Sequence, residues 1–288
     1  MSRFRFVDDH AIEYRIKRLC ELVEVSRSGF DAWRDRPPSA RDVEDAELTV
    51  EIRAIHERSR GTYGAPRVEG QLRRAGCCHG VKRVARLMRT EGLVGAHARR
   101  TWRRGRTDTA PAGDLLERDF TAQRPNERWV ADITEFATHD GKLYLAGILD
   151  LCDRACVGWS MHERATADLV IDALVMAIQR RDPDGVTHHS DHGSVYTSLR
   201  FATHLDDYGL VASFGSVGDC FDNAAMEAFW ATLKRELAWI HGRRRWSSRA
   251  ELRVALFDYI EVFYNRARHQ ARLDHQTPAE AYAAALVA

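Results

Sequence analysis

The order of apolar patterns in the second half of the 288-residue chain most constrains its fold. Strand-like runs rich in β-branched and aromatic residues occupy residues 129–137, 143–149, 155–161, 186–190 and 210–214. Asp140 and Gly141 form a hairpin signal between the first two runs. Helix patterns begin after Thr166, after Ser198 and around Glu227. This order predicts a mixed α/β sheet whose first three strands are antiparallel and whose later strands are added by crossover helices.

The first half of the chain has helical patterns instead. Residues 11–36 are typical of two short helices separated by a turn at Ser26, and residues 42–92 of three more helices. Both stretches resemble helix-turn-helix modules, in which the second helix enters a DNA major groove. We therefore predict four regions. They are a helix-turn-helix-like segment (1–40), a second helical DNA-binding domain (41–96), a basic linker (97–124) and an α/β core with a C-terminal helical extension (125–288).

The net charge of +1 conceals a strong local asymmetry. Between Lys82 and Arg106 the chain carries nine Lys or Arg residues against one acid, Glu91. Such a stretch indicates contact with a polyanion, and the alternative is a solvated charged face. Because the stretch adjoins the helical modules, we favour nucleic acid. The residues expected to meet DNA phosphates from one helix are Lys82, Arg83, Arg86 and Arg89, and a second basic patch lies at 243–245.

Composition argues against several other classes of protein. No window approaches about 18 uncharged apolar residues, so no transmembrane helix is predicted, and the N-terminus lacks the apolar segment of a signal peptide. The six cysteines show no paired Cys-x-x-Cys spacing, which argues against a structural zinc site and for reduced thiols. We therefore expect a cytoplasmic protein with no membrane partner.

Three acidic residues are the strongest candidates for chemistry. Asp132 lies in an apolar strand pattern, Asp191 ends a short strand before a glycine turn, and Glu227 lies on a helix. Thirty-five residues separate the last two (227 − 191 − 1 = 35). Transfer of a phosphoryl group between DNA strands needs an attacking and a leaving oxygen held in line, which two divalent ions about 3.5–4 Å apart achieve when carboxylates bind them.

Each acid also has an ordinary structural explanation. Asp132 could be a buried hydrogen-bonded aspartate, Asp191 the cap of a turn and Glu227 a solvated helix residue. If the three converge, like charges 4 Å apart repel by roughly 4 kcal/mol at an effective dielectric constant of 20. Convergence would therefore require a cation or a raised pKa for one of them.

Helical spacing adds further candidates beside Glu227. Asn223, Glu227, Ala231 and Lys234 recur every three to four residues and so share one helix face. Asn223 and Lys234 are therefore predicted to meet DNA, with a solvated surface lysine as the alternative for Lys234. The segment 215–220 before this helix resembles a flexible loop that embraces substrate DNA in a known fold.

Two sets of residues near the acids suggest other roles. The pattern of His188, His189, Asp191 and His192 suggests a rival site for zinc or manganese, but its spacing matches no common zinc motif and it leaves Asp132 and Glu227 unexplained. Asp150 and Asp153 follow the second strand, and we interpret them as turn and salt-bridge residues.

The words around the acids resemble those of DDE transposases and retroviral-type integrases. They are Trp-x-x-Asp-Ile-Thr, Ser-Asp-x-Gly and Asp-Asn-Ala-x-x-Glu-x-Phe-x-x-x-Leu-Lys-x-Glu, and they are specific when taken together. The likeness is strongest to the second reading frame of IS-three-type insertion sequences and covers residues 5–285. The chain departs at Ala131, where a polar residue is usual, and at Trp230, where Phe is common.

This resemblance implies a ribonuclease H-like integrase core with Asp132, Asp191 and Glu227 as catalytic and metal-binding residues. Asp132 would bridge two Mg²⁺ ions, with Mn²⁺ as a substitute, while Asp191 and Glu227 would each bind one. The implied reaction is metal-dependent nicking at the element ends and strand transfer through a joined circle. The implied partners are double-stranded DNA (terminal inverted repeats and target), further copies of the chain, and the product of an upstream reading frame. Because the chain begins without leucine heptads, we expect it to be the second frame alone.

Two other functions remain open at this point. One is a DNA-binding regulator with a catalytically silent ribonuclease H-like core, and the intact acids argue against it. The other is a stand-alone nuclease without end specificity. Undiminished repression by Asp132→Asn with no detectable cleavage would favour the regulator, and equal cutting of any DNA would reveal the nuclease.

Overall fold

A computed structural model of the protein describes residues 3–96, 122–191, 193–214 and 224–287. The chain forms two compact units, Met1–Val50 and Glu51–Ala288, and the division falls inside one helix. Of the predicted regions, residues 97–121 of the linker, the loop at 215–220 and Asn223 lie outside the described residues. No helix within the described ranges is both long enough and apolar enough to cross a membrane.

The first unit contains three short helices around a small core. They are α1 (Arg3–Asp9), α2 (Ile16–Leu22) and α3 (Arg27–Arg34), packed on Val7, Leu19, Cys20 and Phe30. As predicted, Ser26 caps α3, and its hydroxyl accepts a hydrogen bond from Gly29 N at 3.0 Å. The sequence interpretation placed a helix from residue 11 and missed α1. The apolar repeat that predicted this helix begins at Ile12, but Ile12 is 97% exposed and does not pack in the core.

The next three helices form the second helical region. They are α4 (Ala40–Arg58), α5 (Ala65–Arg74) and α6 (Val81–Thr90). Pro66 lies in the first turn of α5, where its missing N–H costs no helical hydrogen bond. Val68 and Leu72 of α5 and Val84 and Leu87 of α6 are buried, whereas Lys82, Arg86 and Arg89 of α6 are exposed.

The sheet confirms the predicted α/β class. Its strands are β1 (Arg128–Thr138), β2 (Gly141–Asp150), β3 (Cys156–His162), β4 (Thr187–Ser190) and β5 (Val211–Phe214), in the spatial order β3-β2-β1-β4-β5. Strands β1, β2 and β3 are antiparallel neighbours, whereas β4 runs parallel to β1 and β5 parallel to β4. The hairpin at Asp140 and Gly141 joins β1 to β2 as predicted, with Gly141 at a φ of 118° that favours glycine.

Helices cover both faces of the sheet. They are α7 (Ala167–Arg181), α8 (Leu199–Asp207), α9 (Ala224–Ile240), α10 (Arg249–Phe257), a π-helix (Asp258–Tyr264), a short 3₁₀ turn (Ala271–Leu273) and α11 (Pro278–Ala285). One apolar core contains residues of α9, α10 and the π-helix, and a second contains residues of α7 and α8. Thr277 and Glu280 form a capping box at the start of α11.

Candidate active site

Strand register brings the two candidate aspartates side by side. Strands β1 and β4 are parallel, and their last paired residues are Val130 and His189. Asp132 and Asp191 each lie two residues beyond that pair, so both carboxylates stand where the two strands separate. Because a step of two residues keeps a side chain on the same face of a strand, Asp132 also faces the same way as Val130. Val130 belongs to the core that α9 covers.

Helix α9 brings the third acid to the same face of the sheet. Trp230 lies three residues after Glu227, so both side chains project from one side of the helix. The indole Nε1 of Trp230 donates a 2.9 Å hydrogen bond to Oδ2 of Asp132. That bond holds the first turns of α9 over Asp132, and Glu227 is the exposed carboxylate on those turns.

The environment of Asp132 disfavours its ionised form. Burial raises its pKa to about 6, and the negative charges of Asp191 and Glu227 act in the same direction. The hydrogen bonds from Ile133 N, at 2.8 Å to Oδ1, and from Trp230 lower the pKa but do not cancel the rise. Burial, followed by the charges of Asp132 and Asp191, also raises the pKa of the buried Tyr196 phenol well above its ordinary value, so this residue stays neutral.

The other two acids are more open. Asp191 is exposed, and its Oδ1 accepts a 3.0 Å hydrogen bond from Gly193 N in the turn that follows β4. In the described part of the chain, no three His, Cys, Asp or Glu side chains are arranged to hold one metal ion. Asp191 and Glu227 nevertheless lie close enough to Asp132 for their charges to act on its pKa, in addition to the larger effect of burial.

Lys234 lies farther along the same helix face. Its Nζ is 5.2 Å from the centroid of the Phe136 ring, on the strand that carries Asp132. Partial burial lowers the pKa of Lys234, while the charges of Glu135 and Asp132 act to raise it. The residue as a whole is exposed, so its ammonium group can meet a phosphate. Asn223, the other residue predicted for this face, lies outside the described residues.

The histidine-rich metal site is not formed by its described members. His188 and His189 are successive residues of β4, so their side chains project to opposite faces of the sheet. His188 is buried against Tyr196 and Phe201, and burial lowers its pKa to about 4. His189 lies 3.0 Å from the Ser213 hydroxyl through Nδ1. His192 lies outside the described residues.

Asp150 and Asp153 have the structural roles that we inferred for them. Asp150 is buried and accepts hydrogen bonds from the backbone of Asn126 and Cys152, at 2.7 and 2.8 Å, and from the Trp129 indole at 3.2 Å. Asp153 forms a 2.7 Å ion pair with Arg181.

The basic residues of α6 lie mostly on its exposed side. Lys82, Arg86 and Arg89 are exposed and recur at helical spacing, while Arg83 is half-buried. Leu87 and Met88 are buried on the other side of the helix. This polarity is what a helix needs if it packs on its own module and presents cations to a polyanion.

Sequence reasoning missed two groups that shape the site. The first is the Trp230 indole together with Gly147, whose lack of a side chain makes room for the ring. The available signal was the Trp at position 230, where Phe is common. The second is Glu236, a fully buried carboxylate on α9 that binds Arg67, Tyr259 and Arg268. Nothing local in the sequence marks Glu236, because its partners lie far along the chain.

Family models match most of the chain. A model described as an integrase core domain matches residues 122–220, and a second integrase core model matches residues 227–282. An HTH-like domain model matches residues 42–101. The three candidate acids fall within the two integrase core matches.

Curated relatives match nearly the full length. The transposase InsF of insertion sequence IS3A from Escherichia coli K12 is 39% identical over 274 residues, which cover 93% of this chain and 94% of the relative. The uncharacterized 31 kDa protein of insertion element IS600 from Shigella sonnei is 39% identical over 265 residues, which cover 91% of this chain and 96% of the relative.

Solved structures of viral integrases are also similar. The HTLV-2 integrase catalytic core domain, in complex with magnesium, aligns with a TM-score of 0.43 and 18% identity over 55% of this chain and 97% of the other. The intasome of simian T-cell lymphotropic virus aligns with a TM-score of 0.49 and 16% identity over 74% of each chain.

Proposed function

This chain belongs to the family of IS3-type insertion-sequence transposases, and we propose that Asp132, Asp191 and Glu227 are the carboxylates with which it cuts and joins DNA strands. As a member of that family it is a DDE-type polynucleotidyl transferase that acts in transposition and DNA integration. The assignment of residues, metal ions and DNA contacts is the part that we propose.

One observation carries the residue assignment. The carboxylates of Asp191, after β4, and of Glu227, on α9, lie near enough to Asp132, on β1, for their charges to act on its pKa. If Asp191 and Glu227 served only for capping or solvation, their proximity to Asp132, which disfavours its ionised form, would have no function. This proximity therefore argues for a shared chemical role.

The donor set suits a divalent cation that prefers oxygen. Asp132, Asp191 and Glu227 would hold the pair of Mg²⁺ ions that the family implies, and Mn²⁺ would replace Mg²⁺ in the assay. When bound, such ions stabilise the charge on the attacking and leaving oxygens of an in-line displacement at phosphorus. Burial, followed by the charges of Asp191 and Glu227, raises the pKa of Asp132, and a bound cation would favour the ionised carboxylate against both effects.

The remaining candidates bind and orient DNA in this proposal. Lys234 meets a backbone phosphate beside the acids, and Asn223 contacts DNA at the start of α9. The α6 residues Lys82, Arg83, Arg86 and Arg89 hold duplex DNA through its phosphates, a contact that fixes position and is sensitive to salt.

The specific DNA and protein partners are inferred from the family. We infer that the specific substrates are the terminal inverted repeats of an insertion sequence and a target duplex, that several copies of the chain assemble on DNA, and that an upstream-frame product assists. Because that DNA lies in the bacterial cytoplasm, we place the protein there.

The test is the formation of joined-end circle junctions in cells that carry the two element ends and the upstream frame. The variants are Asp132→Asn, Asp191→Asn and Glu227→Gln, and the matched control is Asp172→Asn, an exposed acid on α7. We expect junctions with the wild type and with Asp172→Asn, and a loss well beyond about 100-fold with each of the other three. Junctions with Glu227→Gln would refute the proposed site. Absence of junctions even with the wild type would favour the DNA-binding regulator.

A further inference from the structure

Trp230 makes a direct contact with a candidate catalytic carboxylate. Its Nε1 lies 2.9 Å from Oδ2 of Asp132, and the residue is only 6% exposed. Its ring packs in the apolar core beside Phe229, with the two ring centroids 4.8 Å apart. A buried ring of this size has little freedom to move, so the direction of its N–H is fixed by packing.

A glycine on the neighbouring strand makes room for this ring. Gly147 is paired with Asp132 in the antiparallel register of β1 and β2. A Cβ atom at position 147 would lie 2.6 Å from Cη2 and 3.1 Å from Cζ2 of Trp230. Any larger residue at position 147 would therefore push the indole away from its place over the strand.

The hydrogen bond from Trp230, together with one from the backbone, fixes the orientation of the Asp132 carboxylate. Ile133 N donates to Oδ1 at 2.8 Å, and Trp230 donates to Oδ2, so each oxygen accepts one N–H. Two donors on two oxygens define both the rotamer of the side chain and the plane of the carboxylate. Each oxygen keeps a second acceptor direction, and these directions are the ones available for a cation.

We propose that Trp230 is the positioning residue of Asp132, that its indole N–H presets the carboxylate for a divalent cation, and that Gly147 is required because only glycine admits the ring. This inference rests on the proposed function, since it assumes that Asp132 binds the cation. Partners that orient metal ligands typically change metal affinity by about 10–100-fold when they are removed. Trp230 is therefore expected to act on cation affinity more than on DNA binding.

The test compares two buried tryptophans that donate to carboxylates. Trp230→Phe removes the bond to Asp132, and the matched control Trp159→Phe removes a 2.6 Å bond to Glu261 in the same apolar core. The first readout is the Mg²⁺ concentration at half of the metal-induced shift in melting temperature, measured without DNA. The second is the Mg²⁺ dependence of cleavage of an end substrate by the full chain.

We expect Trp230→Phe to raise both half-saturating Mg²⁺ concentrations by about 10-fold or more. Trp159→Phe should leave both unchanged, even if its melting temperature falls. Gly147→Ala should behave as Trp230→Phe does, because the added methyl displaces the indole. Equal Mg²⁺ dependence in Trp230→Phe and Trp159→Phe would overturn the inference.

A third substitution separates the bond from the packing. Replacing Trp230 with benzothienylalanine keeps the bicyclic shape and exchanges the N–H for sulfur, so the test holds even if Trp230→Phe does not fold. We expect the same rise in half-saturating Mg²⁺, and an unchanged value would show that the N–H has no role.

Asp132→Asn distinguishes the failure of this inference from the failure of the proposed function. If Asp132→Asn keeps cleavage and the Mg²⁺-induced shift, the proposed function is wrong. If it abolishes both while Trp230→Phe and the benzothienyl variant match the wild type, only the role of Trp230 is wrong.

Discussion

The guanidinium of Arg67, on helix α5, donates a 3.0 Å hydrogen bond to Oε1 of Glu236, on the same helix as Glu227. Arg268 donates to both oxygens of this carboxylate, at 2.7 and 2.9 Å, and the Tyr259 hydroxyl donates at 2.9 Å. Burial acts to raise the pKa of Glu236, but the charges and hydrogen bonds of Arg268 and Arg67 outweigh it and hold the pKa below its ordinary value. A single buried carboxylate thus ties a helix of the HTH-like region to the helix that carries a candidate catalytic acid.

The cost of breaking this network should depend on which arginine is removed. Arg268→Met removes the two-bond partner of a fully buried charge, and we expect it to lower the free energy of unfolding by about 3–5 kcal/mol. Arg67→Met leaves Arg268 in place, and we expect a loss of about 1.5–3 kcal/mol. Urea unfolding followed by circular dichroism measures both values.

A second substitution serves as the control for this interpretation. Glu236→Gln removes the buried charge that loses its main partner in Arg268→Met, so the double variant should recover part of the lost stability. Equal losses for Arg67→Met and Arg268→Met, or no recovery in the double variant, would contradict the role of Glu236 as a charge held mainly by Arg268.

Asp132 should destabilise the metal-free protein at neutral pH. Its pKa in the folded state is about 6, above the value of about 3.9 for an unfolded aspartate, so the folded protein binds the proton more tightly. The free energy of unfolding is therefore unaffected by Asp132 below about pH 4, falls as pH rises through about 6, and stays low above that. The loss is on the order of 1–3 kcal/mol at 1.36 kcal/mol per pKa unit.

Asp132→Asn removes this ionisation and keeps an oxygen that can accept the Trp230 N–H. In the absence of divalent cations, we expect Asp132→Asn to be more stable than the wild type at pH 7.5 and equal to it near pH 4. Thermal unfolding across this pH range in a chelating buffer measures the difference. A difference that does not change with pH would show that Asp132 is not the ionising group.

Sequence predicted the elements better than it predicted their contacts. The strands around Asp132 and Asp191, the Ser26 cap and the Thr277 capping box follow from local rules that hold within a few residues. The contact between Trp230 and Asp132 depends on the register of β1 and β2 and on the position of α9, which local patterns do not contain.

The errors have similar causes. Ile12 satisfied the helical spacing of apolar residues but is exposed, since spacing alone does not say which apolar residues find a partner. The histidines of β4 matched a metal pattern along the chain, but alternation along a strand separates neighbours that sequence places together. The roles of the three acids, of the α6 cations and of Lys234 stay predictions.

Lys234 should contribute one phosphate contact near the acids. Its ammonium group lies beside Phe136, and partial burial, which removes hydration, lowers the pKa of Lys234. A DNA phosphate would replace part of that lost hydration. We expect Lys234→Gln to weaken binding of end DNA and to reduce the slope of log K against log salt by about 1. Fluorescence anisotropy at several salt concentrations measures the slope.

The control for Lys234 is Arg180→Gln, which removes the same charge elsewhere. Arg180 lies in the last turn of α7, before the start of β4, whereas Asp191 follows the end of that strand. Arg180 is also ion-paired with Glu261 at 2.7 Å. An equal loss of slope in both variants would indicate a nonspecific effect of net charge and would count against a phosphate contact at Lys234.

The α6 cations should hold duplex DNA independently of catalysis. Lys82 and Arg89 are exposed on the side of α6 opposite its buried residues. We expect Lys82→Gln and Arg89→Gln each to weaken binding to end DNA, with salt slopes smaller by about 1 each and by about 2 in the double variant.

The matched control is Arg73→Gln on α5, where Arg73 is paired with Glu69 at 3.2 Å. Asp132→Asn should bind as the wild type does in these anisotropy titrations, because Asp132 lies on β1 and is only half-exposed. If Arg73→Gln reduces the slope as much as Arg89→Gln does, α6 is not the helix that meets the DNA backbone.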